Sequence, residues 1–407
     1  MSVNSTDRAM ARRGARELSR QQLLFESFGG RTRLSEDLGV TPGDDITDTI
    51  RNAVMPDTLL VIDENGRYTL SGAVEPNVDA WGLVVKPQTH AVLEVPGGVD
   101  AAIGNSNTSL RKGLFGGFEF DGSDAGGQGR LVLTAAPGGH VDVLDVEFTG
   151  AVDGDAEAHA VDAEAAVGGT VRCERVTATD GGEADGIHVR PGTAGSVDAI
   201  DVEMAGFGSS GISMAGDEGA VHINGGSYRE NSTAQVAFTG TNSWADGVEI
   251  RAETVSSAPG IRWVAGANHR QGGAVRNCEI YAHGDSPAVV GDEGAGPLSV
   301  ETSNIETDGG GGVRAYTPAA DKPSPWEVFD TDIVGDDDSY AIDIDEREGS
   351  RVEECCIHLP NGEGIRFEHL DPGAIVETRV NVGGTVWRHA QVEDCVTEGE
   401  CPSRNVL

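Results

Sequence analysis

The chain has 407 residues, with 67 acidic against 29 basic side chains and a formal net charge of −38. This charge argues against bare nucleic acid as a partner, because phosphate binding needs a basic surface. No apolar run approaches the length of a membrane span, which argues against a helical membrane protein. The lysines are limited to Lys86, Lys112 and Lys322, a composition typical of proteins from strong salt, where screening reduces self-repulsion. The alternative is an ordinary acidic protein from a GC-rich genome.

Residues 1–40 are predicted to form a helical arm. Arginines are concentrated near its start, and a weak helical stripe contains Met10, Leu18, Leu23, Leu24, Phe25 and Phe28. Two interpretations stay open: the arm packs on the first coil of the fold, or it docks onto an acidic partner or a larger assembly. No apolar segment follows Arg12-Arg13, so a secretory signal is not expected.

Residues 41–83 are predicted to form a capping module. Asp44 or Asp45 can begin a short helix, whose buried side includes Ile46 and Ile50. Two strands follow, on either side of a turn at residues 64–66. The module therefore combines one helix with two strands before the main repeat begins.

Several features of this module carry a resemblance to a known family. They are Gly43-Asp44-Asp45, the short helix, a hydrophobic strand and the strand with Gly66 and Tyr68. Together they resemble the N-terminal module of the pectate-lyase-like superfamily, in which a helix covers the open end of a right-handed β-helix. The module occurs in polysaccharide lyases, glycoside hydrolases and viral tailspikes. The resemblance therefore implies the fold and leaves the activity open.

Residues 84–382 contain an internal repeat. From Gly186 onward, short segments begin 23 to 29 residues apart, and a second series of segments is interleaved with them. Apolar and polar residues alternate in each segment, as in half-buried strands. The predicted fold is all-β: a single-stranded right-handed parallel β-helix, or β-solenoid, with a short N-terminal helix cap. Residues 383–407 are predicted to be a C-terminal cap or tail.

The alternation in the first series separates inward from outward side chains. The inward positions predict an apolar column of Ile187, Ile212, Val236, Ile261, Val313, Ile342 and Ile365. The next residues are predicted to form an outward ladder of His188, Ser213, Ala237, Arg262, Val290, Arg314, Asp343 and Arg366.

The outward ladder predicts a surface for a glycan. A rigid sheet spaces such side chains about 4.8 Å apart, so a sugar chain can run along it over aromatic rings, with arginines on its carboxylates. The predicted glycan-binding residues are Arg262, Arg314, Trp263, Tyr316 and Trp244. The alternative is a solvated face on which arginines balance an acidic surface.

Asp185-Gly186-Ile187-His188-Val189 resembles a coil segment of polygalacturonase-type hydrolases. The resemblance makes Asp185 and His188 the candidate catalytic residues. The adjacent pair of aspartates and the Arg-x-Lys signature of those enzymes have no counterpart here, so the catalytic set is incomplete. A lyase would instead need a base, together with Ca²⁺ or arginine to neutralise a uronate.

Ca²⁺ is the one cofactor considered from the sequence. Its candidate ligands are Asp336, Asp337 and Asp338, and the alternative is a hydrated acidic turn. Six cysteines are too few for a disulfide scaffold. Cys395 and Cys401 could form a disulfide. Buried thiols are predicted at Cys173, Cys278, Cys355 and Cys356.

These observations favour a virion surface spike of a halophilic archaeal virus, whose β-helix recognises a host surface glycan or glycoprotein. Tailspike relatives assemble as homotrimers, so the resemblance implies a homo-oligomer, with a trimer favoured and other symmetries open. One alternative is a polysaccharide lyase or glycoside hydrolase that acts on an acidic polysaccharide. The other is an intracellular scaffold in a high-salt cytoplasm.

Overall fold

The computed structural model describes residues 25–152, 158–214, 216, 218–239, 242–254, 257–265, 272–318, 324–336, 338–368 and 373–397. It is an all-β parallel solenoid of about 13 turns, which confirms the predicted fold class. Predictions for residues 1–24, Asp337 and Cys401 fall outside these ranges.

The N-terminal part combines two short helices with the first eight strands. In chain order they are β1 (Gly30–Arg33), α1 (Leu34–Leu38), α2 (Thr47–Ala53), β2 (Thr58–Ile62), β3 (Gly66–Thr69), β4 (Ala80–Val85), β5 (Ala91–Glu94), β6 (Asp100–Gly116), β7 (Phe118–Asp121) and β8 (Gln128–Thr149).

The regular coils begin with the next strands. The first half contains β9 (Val161–Ala165), β10 (Thr170–Ala178), β11 (Ile187–Val189), β12 (Ser196–Ile200), β13 (Glu203–Ala205), β14 (Ser210–Met214), β15 (Ala220–Asn224), β16 (Ser227–Arg229), β17 (Ala234–Phe238), β18 (Trp244–Asp246), β19 (Glu249–Ala252), β20 (Ile261–Trp263), β21 (Gly273–Arg276) and β22 (Glu279–Ala282).

The second half continues the same order. It contains β23 (Val289–Gly291), β24 (Leu298–Glu301), β25 (Asn304–Thr307), β26 (Val313–Ala315), β27 (Trp326–Phe329), β28 (Asp332–Gly335), β29 (Tyr340–Asp345), β30 (Arg351–Glu353), β31 (Cys356–Leu359), β32 (Glu363–Glu368), β33 (Gly373–Val376), β34 (Arg379–Val382), β35 (Trp387–Arg388) and β36 (Ala390–Glu393).

The regular coils stack into three parallel sheets that run along the helix axis. The first sheet contains β9, β11, β14, β17, β20, β23, β26, β29, β32 and β35. The second contains the start of β10 and then β12, β15, β18, β21, β24, β27, β30, β33 and β36. The third contains the end of β10 and then β13, β16, β19, β22, β25, β28, β31 and β34.

The core follows from the alternation along each strand. The predicted inward column of the first sheet is confirmed, because each of its seven side chains is at most 1% exposed. Backbone pairing sets its members in register from coil to coil, as Ile187 with Ile212 and Val236 with Ile261 show. A continuous apolar interior therefore extends through coils that are individually too small to bury a core.

A recurring turn forms the corner between the second and third sheets. One residue per coil there has a positive φ of 46° to 54°, namely Asn277, Thr302, Asp330, Glu354 and Glu377. The following side chains are small and polar, namely Cys278, Ser303, Thr331, Cys355 and Thr378. Ser303 Oγ, for example, accepts the Cys278 N–H at 3.2 Å and donates to the Glu301 carbonyl at 2.9 Å. Such hydrogen bonds stabilise the positive-φ backbone conformation, which costs free energy for residues other than glycine.

The capping module matches the predicted elements. The side chains of Ile46 and Ile50 are fully buried, and Asp45 Oδ1 accepts the Thr47 N–H at 3.0 Å where α2 begins. The two predicted strands are β2 and β3, which pair with the following coil. The predicted short helix and both strands are therefore confirmed.

The described end of the N-terminal arm packs on the outside of the first coils. Phe28 is buried, and Phe25 lies against the same cluster. Apolar side chains on the outer faces of β2, β4, β6 and β8 complete the cluster: Leu59, Val61, Val84, Leu114 and Leu144. For Phe25 and Phe28, packing on the first coils is thus the interpretation that the structure supports.

The cysteines divide into two groups. Cys173, Cys278 and Cys355 are buried free thiols, as predicted, and burial raises the pKa of each to about 12. Cys356 is disulfide-bonded, so its prediction as a thiol is wrong. Cys395 is a free thiol and does not form the disulfide considered from the sequence.

Among the described residues, no helix combines the length and the apolarity that membrane crossing requires.

Candidate functional site

The outer face of the first sheet carries one side chain per coil in register. The ladder contains Asp162, His188, Ser213, Ala237, Arg262, Val290, Arg314, Asp343, Arg366 and Arg388. Parallel coils lie about 4.8 Å apart, so these residues extend over roughly 40 Å along the axis. The pairing confirms the predicted order of the ladder and adds one residue at each end.

Asp185, His188 and Ser213 meet in a half-buried cluster near one end of the ladder. Ser213 Oγ donates to Asp185 Oδ2 at 2.6 Å, and His188 Nδ1 lies 3.2 Å from the same oxygen. His159 of the preceding coil joins them, because its Nδ1 accepts the Asp185 N–H at 3.2 Å. The imidazole rings of His159 and His188 stack with centroids 4.3 Å apart.

Asp185 is the charged centre of this cluster. Burial acts to raise its pKa, but hydrogen bonds to the ionised form prevail and lower the pKa to about 2. The carboxylate is therefore ionised at neutral pH and orients the groups around it. The donors are the side chains of His188, Ser213 and Ser209 and the N–H of Ser210.

The two imidazoles have different hydrogen-bond partners. His188 faces the Asp185 carboxylate through Nδ1, which assigns its proton to that nitrogen and leaves a lone pair on Nε2. His159 Nδ1 accepts a backbone N–H, which assigns its proton to Nε2. Burial, with a smaller effect of His188, lowers the pKa of His159 to about 4, so this ring is neutral near pH 7. The pair thus offers a proton acceptor beside a neutral donor, an arrangement suited to proton transfer.

The buried neutral His159 predicts a pH dependence of stability. Its pKa is about 6.5 in an unfolded chain and about 4 in the fold. Between these values the unfolded chain binds a proton that the fold excludes, so the free energy of unfolding rises with pH, by on the order of 3 kcal/mol. Denaturant unfolding of wild type and His159→Gln from pH 4 to 6.5 tests this. In His159→Gln the free energy of unfolding should rise much less with pH than in wild type. An equal rise in the two proteins would contradict the low pKa of His159 in the fold.

The same cluster has metal-ligand atoms in proximity. Atoms of His159, Asp185 and His188 that could each bind a metal ion lie within 4.8 Å of one another. Among the described residues, this is the one group of three or more such residues. The imidazole rings are stacked with planes only 11° apart, so their lone pairs lie in separate, nearly parallel planes and do not converge on one ion. The Asp185 N–H also occupies His159 Nδ1. The geometry favours proton transfer over metal binding.

Arg190 extends the cluster toward the earlier coils. Its guanidinium lies 3.3 Å from Asp162 Oδ1 and 3.1 Å from Glu164 Oε2, and it donates to Thr134 Oγ1 at 2.6 Å. Burial raises the pKa of Asp162, and the charge of Arg190 opposes this effect. Because Asp162 pairs with His188 in register, a half-buried carboxyl group lies one coil from the candidate base.

Arginines occupy the opposite end of the ladder. Arg314 lies over the ring of Tyr316 at 4.6 Å. Its Nε is 3.7 Å from Asp343 Oδ2, is buried and lacks a hydrogen-bond partner. Arg366, in contrast, donates twice to Asp343 at 2.6 Å. The Arg314 side chain is nevertheless 39% exposed, so its outer guanidinium nitrogens can reach a ligand.

Arg262 lies between the two ends. It forms a forked pair with Asp292, with nitrogen–oxygen distances of 3.0 and 3.2 Å. A glycan carboxylate would have to compete with Asp292 for this guanidinium. Arg262 is thus less available to a ligand than Arg314.

No protein-family model matches the chain, and no curated protein matches it. Solved structures do match. The A-module of the mannuronan C-5 epimerase AlgE6 of Azotobacter vinelandii covers 88% of this chain and 94% of its own, at 14% identity and a TM-score of 0.50. The A-module of the mannuronan C-5 epimerase AlgE4 of the same organism covers 90% of this chain and 100% of its own, at 15% identity and a TM-score of 0.44. ORF18 of Geobacillus virus E2 covers 90% of this chain and 62% of its own, at 12% identity and a TM-score of 0.37.

The structural neighbours are right-handed β-helix proteins of the pectate-lyase-like kind. This chain is a right-handed parallel β-helix. At such low identities the likeness shows the fold alone, and no activity passes from these proteins to this one.

The structure separates the aromatic residues that were predicted to bind a glycan. Trp263 is fully buried and contacts Phe238 edge to face at 4.9 Å, so its prediction as a glycan-binding residue is wrong. It lies two residues after Ile261, and strand alternation turns both side chains inward. Trp244 belongs to the second sheet, on a different face from Arg262. Tyr316 is 36% exposed beside the ladder.

The predicted Ca²⁺ ligands are not assembled in the described residues. Asp336 accepts a hydrogen bond from Asn361, and Asp338 is exposed. Neither belongs to a group of three ligands in the part of the chain that the structure describes.

His159 is the residue of this cluster that sequence reasoning missed. Val161 pairs with Ile187, which sets His159 level with Asp185 on the next coil. Aligning the repeats by their inward residues would have revealed this proximity, because His159 stands two residues before Val161, as Asp185 does before Ile187. Tyr340 and Arg388 were also missed; the guanidinium of Arg388, at the end of the ladder, lies 6.0 Å from the centre of the Tyr340 ring.

Proposed function

We propose that the protein binds a polysaccharide along the outer face of its first sheet. The observation that carries this proposal is the ladder itself, which holds the cluster around His188 and the arginines on one rigid surface. Backbone pairing fixes the spacing of these groups, so little ordering is needed when an extended ligand binds. Arginine beside tyrosine suits a sugar chain with acidic groups, because guanidinium pairs with carboxylate and aromatic rings contact sugar faces.

The setting that we propose is a virion surface spike, present as a homo-oligomer, in a strongly saline habitat. The N-terminal arm would contact other virion proteins, and the ladder would contact a host glycan or glycoprotein. The acidic composition supports the saline habitat. The disulfide at Cys356 supports surroundings more oxidising than a cytoplasm.

The saline setting predicts a strong salt dependence of stability. With a net charge of −38, screening shortens from about 30 Å at 0.01 M salt to about 3 Å at 1 M. Repulsion between surface carboxylates then weakens, and the Tm should rise steeply with KCl. Calorimetry over this range, repeated with the neutral osmolyte sucrose as a control, measures the effect. A flat profile would remove the basis for a saline habitat.

Binding at the ladder is tested through Arg314. We expect Arg314→Ala to weaken binding to immobilised alginate or polygalacturonate by about 1–3 kcal/mol in molar KCl, because one charge-assisted contact is lost. Arg262→Ala should have a smaller effect, since Asp292 already occupies that guanidinium. Arg351→Ala, an exposed change on the second sheet, is the matched control. Equal affinity of wild type and Arg314→Ala would place the binding surface elsewhere.

The cluster around His188 favours a second candidate function, an acid–base enzyme acting on the same polymer. Asp185 stays ionised and cannot donate a proton, so a lyase fits the geometry better than a hydrolase. In the binding assay such an enzyme would shorten the polymer, and Asp185→Asn and His188→Gln would prevent it. A polymer of unchanged length would leave binding as the function.

A further inference from the structure

Strand β6 departs from the regular coil at one point, just after the part of it that belongs to the first sheet. Residues 105–108 lie between Gly104 and Ser109, and on the next coil only Leu133 lies between the pairing partners of these two residues. A strand that carries extra residues at one point cannot keep them all in the sheet, so the additional chain projects outward. We name residues 105–108 the β6 bulge.

Hydrogen bonds to one side chain give the β6 bulge a defined shape. Asn105 Oδ1 accepts the backbone N–H of Asn107 at 2.9 Å and that of Thr108 at 2.8 Å. Asparagine favours such turns because its short side chain reaches the backbone two residues on. Ser106, Asn107 and Ser109 are exposed. The turn therefore holds Asn107 in an ordered position with its side chain in solvent.

The exposed residues include an acceptor sequence for N-linked glycans. Asn107-Thr108-Ser109 fits the pattern Asn-x-Ser/Thr, in which the middle residue is not proline. In the described part of the chain, the Asn107 side chain forms no hydrogen bond. The coils on both sides of the β6 bulge lie within the described range 25–152. The amide nitrogen of Asn107 is thus accessible to a modifying enzyme.

A second occurrence of the same pattern shows how the fold selects among acceptor sequences. An Asn-Ser-Thr sequence begins at Asn231, but this residue is fully buried. Its Nδ2 donates to Gln235 Oε1 at 2.9 Å, and its Oδ1 accepts the Phe207 N–H at 3.0 Å. A sugar on this nitrogen would have to displace core residues. A third occurrence, at Asn4, lies outside the described residues.

We propose that Asn107 is an acceptor site for N-linked glycosylation. The sugar donor is an oligosaccharide joined through phosphate to a polyprenyl lipid. A bond forms between Asn107 Nδ2 and C1 of the first sugar. The bond between C1 and the phosphate oxygen breaks, and its electron pair leaves with the phosphate. The amide nitrogen gives one proton to a base of the transferase, and the reaction needs no oxidant or reductant.

The glycan would stand at the N-terminal end of the proposed polysaccharide surface. Gly104, which precedes the β6 bulge, is in register through one intervening coil with Asp162, the first residue of the ladder. The coils from His188 onward stay open, so either proposal can fail without the other. Acceptor sites of this kind are used in secreted proteins. The disulfide at Cys356 agrees with this, because it supports oxidising surroundings.

The experiment uses the folded full chain in molar KCl, with Asn4→Gln so that Asn107 and Asn231 are the remaining acceptors. The solubilised oligosaccharyltransferase of a halophilic archaeon and its lipid-linked oligosaccharide are added, and mass spectrometry of the intact chain and its peptides identifies the product. We expect one glycan per chain, on Asn107. Asn107→Gln and Ser109→Ala should each abolish transfer, because the first removes the acceptor nitrogen and the second the hydroxyl of the pattern.

Thr108→Ala is the matched control, since the middle position of the pattern accepts residues other than proline, and it should be modified as fully as the parent chain. Synthetic peptides of residues 103–111 and 227–237 should both be modified, which separates the effect of the fold from that of the sequence. Circular dichroism should show every variant folded. A folded chain that stays unmodified while the 103–111 peptide is modified would overturn the proposal. Glycan on Asn231 of the folded chain would overturn the accessibility on which it rests.

Discussion

Replacing Arg347 by methionine is expected to lower the free energy of unfolding by about 4 kcal/mol or more. The guanidinium is fully buried and donates to the carbonyl groups of Tyr316, Ala295, Gly296 and Ser324. Methionine fills a similar volume but offers no donor. The Gly296 carbonyl keeps its hydrogen bond from Trp326 Nε1, but each buried carbonyl left without a partner costs about 1–3 kcal/mol. Relief of the buried charge offsets part of this cost, since burial lowers the pKa of Arg347 to about 10.

Denaturant unfolding in constant salt measures this effect. Arg347→Lys keeps the charge with a single ammonium group that cannot reach all of these turns, so it should fall between wild type and Arg347→Met. Arg351→Ala is the matched control, because that side chain is 46% exposed and its loss should cost at most about 0.5 kcal/mol. If Arg347→Met unfolded at the wild-type denaturant concentration, the carbonyl contacts would not hold these turns together.

Ile223→Asp is expected to destabilise the fold by at least about 3 kcal/mol. Ile223 is fully buried on the inward side of β15, and the change places a lone carboxylate in an apolar interior. Asn224→Asp, one residue later, adds the same group at an exposed outward position and should change stability by less than about 0.5 kcal/mol.

Thermal unfolding of the two aspartate variants beside wild type tests this pair. The comparison is sharp because the two positions are adjacent in sequence and differ in the side of the strand they occupy. Equal Tm values would mean that the alternation along β15 does not separate core from solvent. Such a result would also count against the burial of the inward column in the neighbouring first sheet, which follows from the same alternation.

The candidate site could be predicted only in part. Asp185 and His188 stand three residues apart in one segment, so the sequence alone brought them together. His159 and Ser213 come from the coils before and after, and they reach Asp185 only through pairing of β11 with β9 and β14. The proximity of these residues follows from the repeat once successive coils are aligned by their inward residues.

Trp263 and Trp244 show the same division. The position of Trp263 two residues after Ile261 already predicts an inward side chain, so its assignment to the glycan surface contradicted the alternation. The face occupied by Trp244 follows from the pairing of β18 with β15 and β21, which places the strand in the second sheet. Local alternation therefore determines whether a side chain points inward, whereas strand pairing between coils determines the face on which it stands.

By itself, the sequence determined the parallel β-helix, its inward apolar column and the order of its outer ladder. These features repeat about every 25 residues and alternate along each strand, and both periods are properties of local sequence. The tertiary structure decided the stacked imidazoles and the burial of Arg347. They depend on contacts between residues more than 20 positions apart, and these contacts exist only after the coils have stacked.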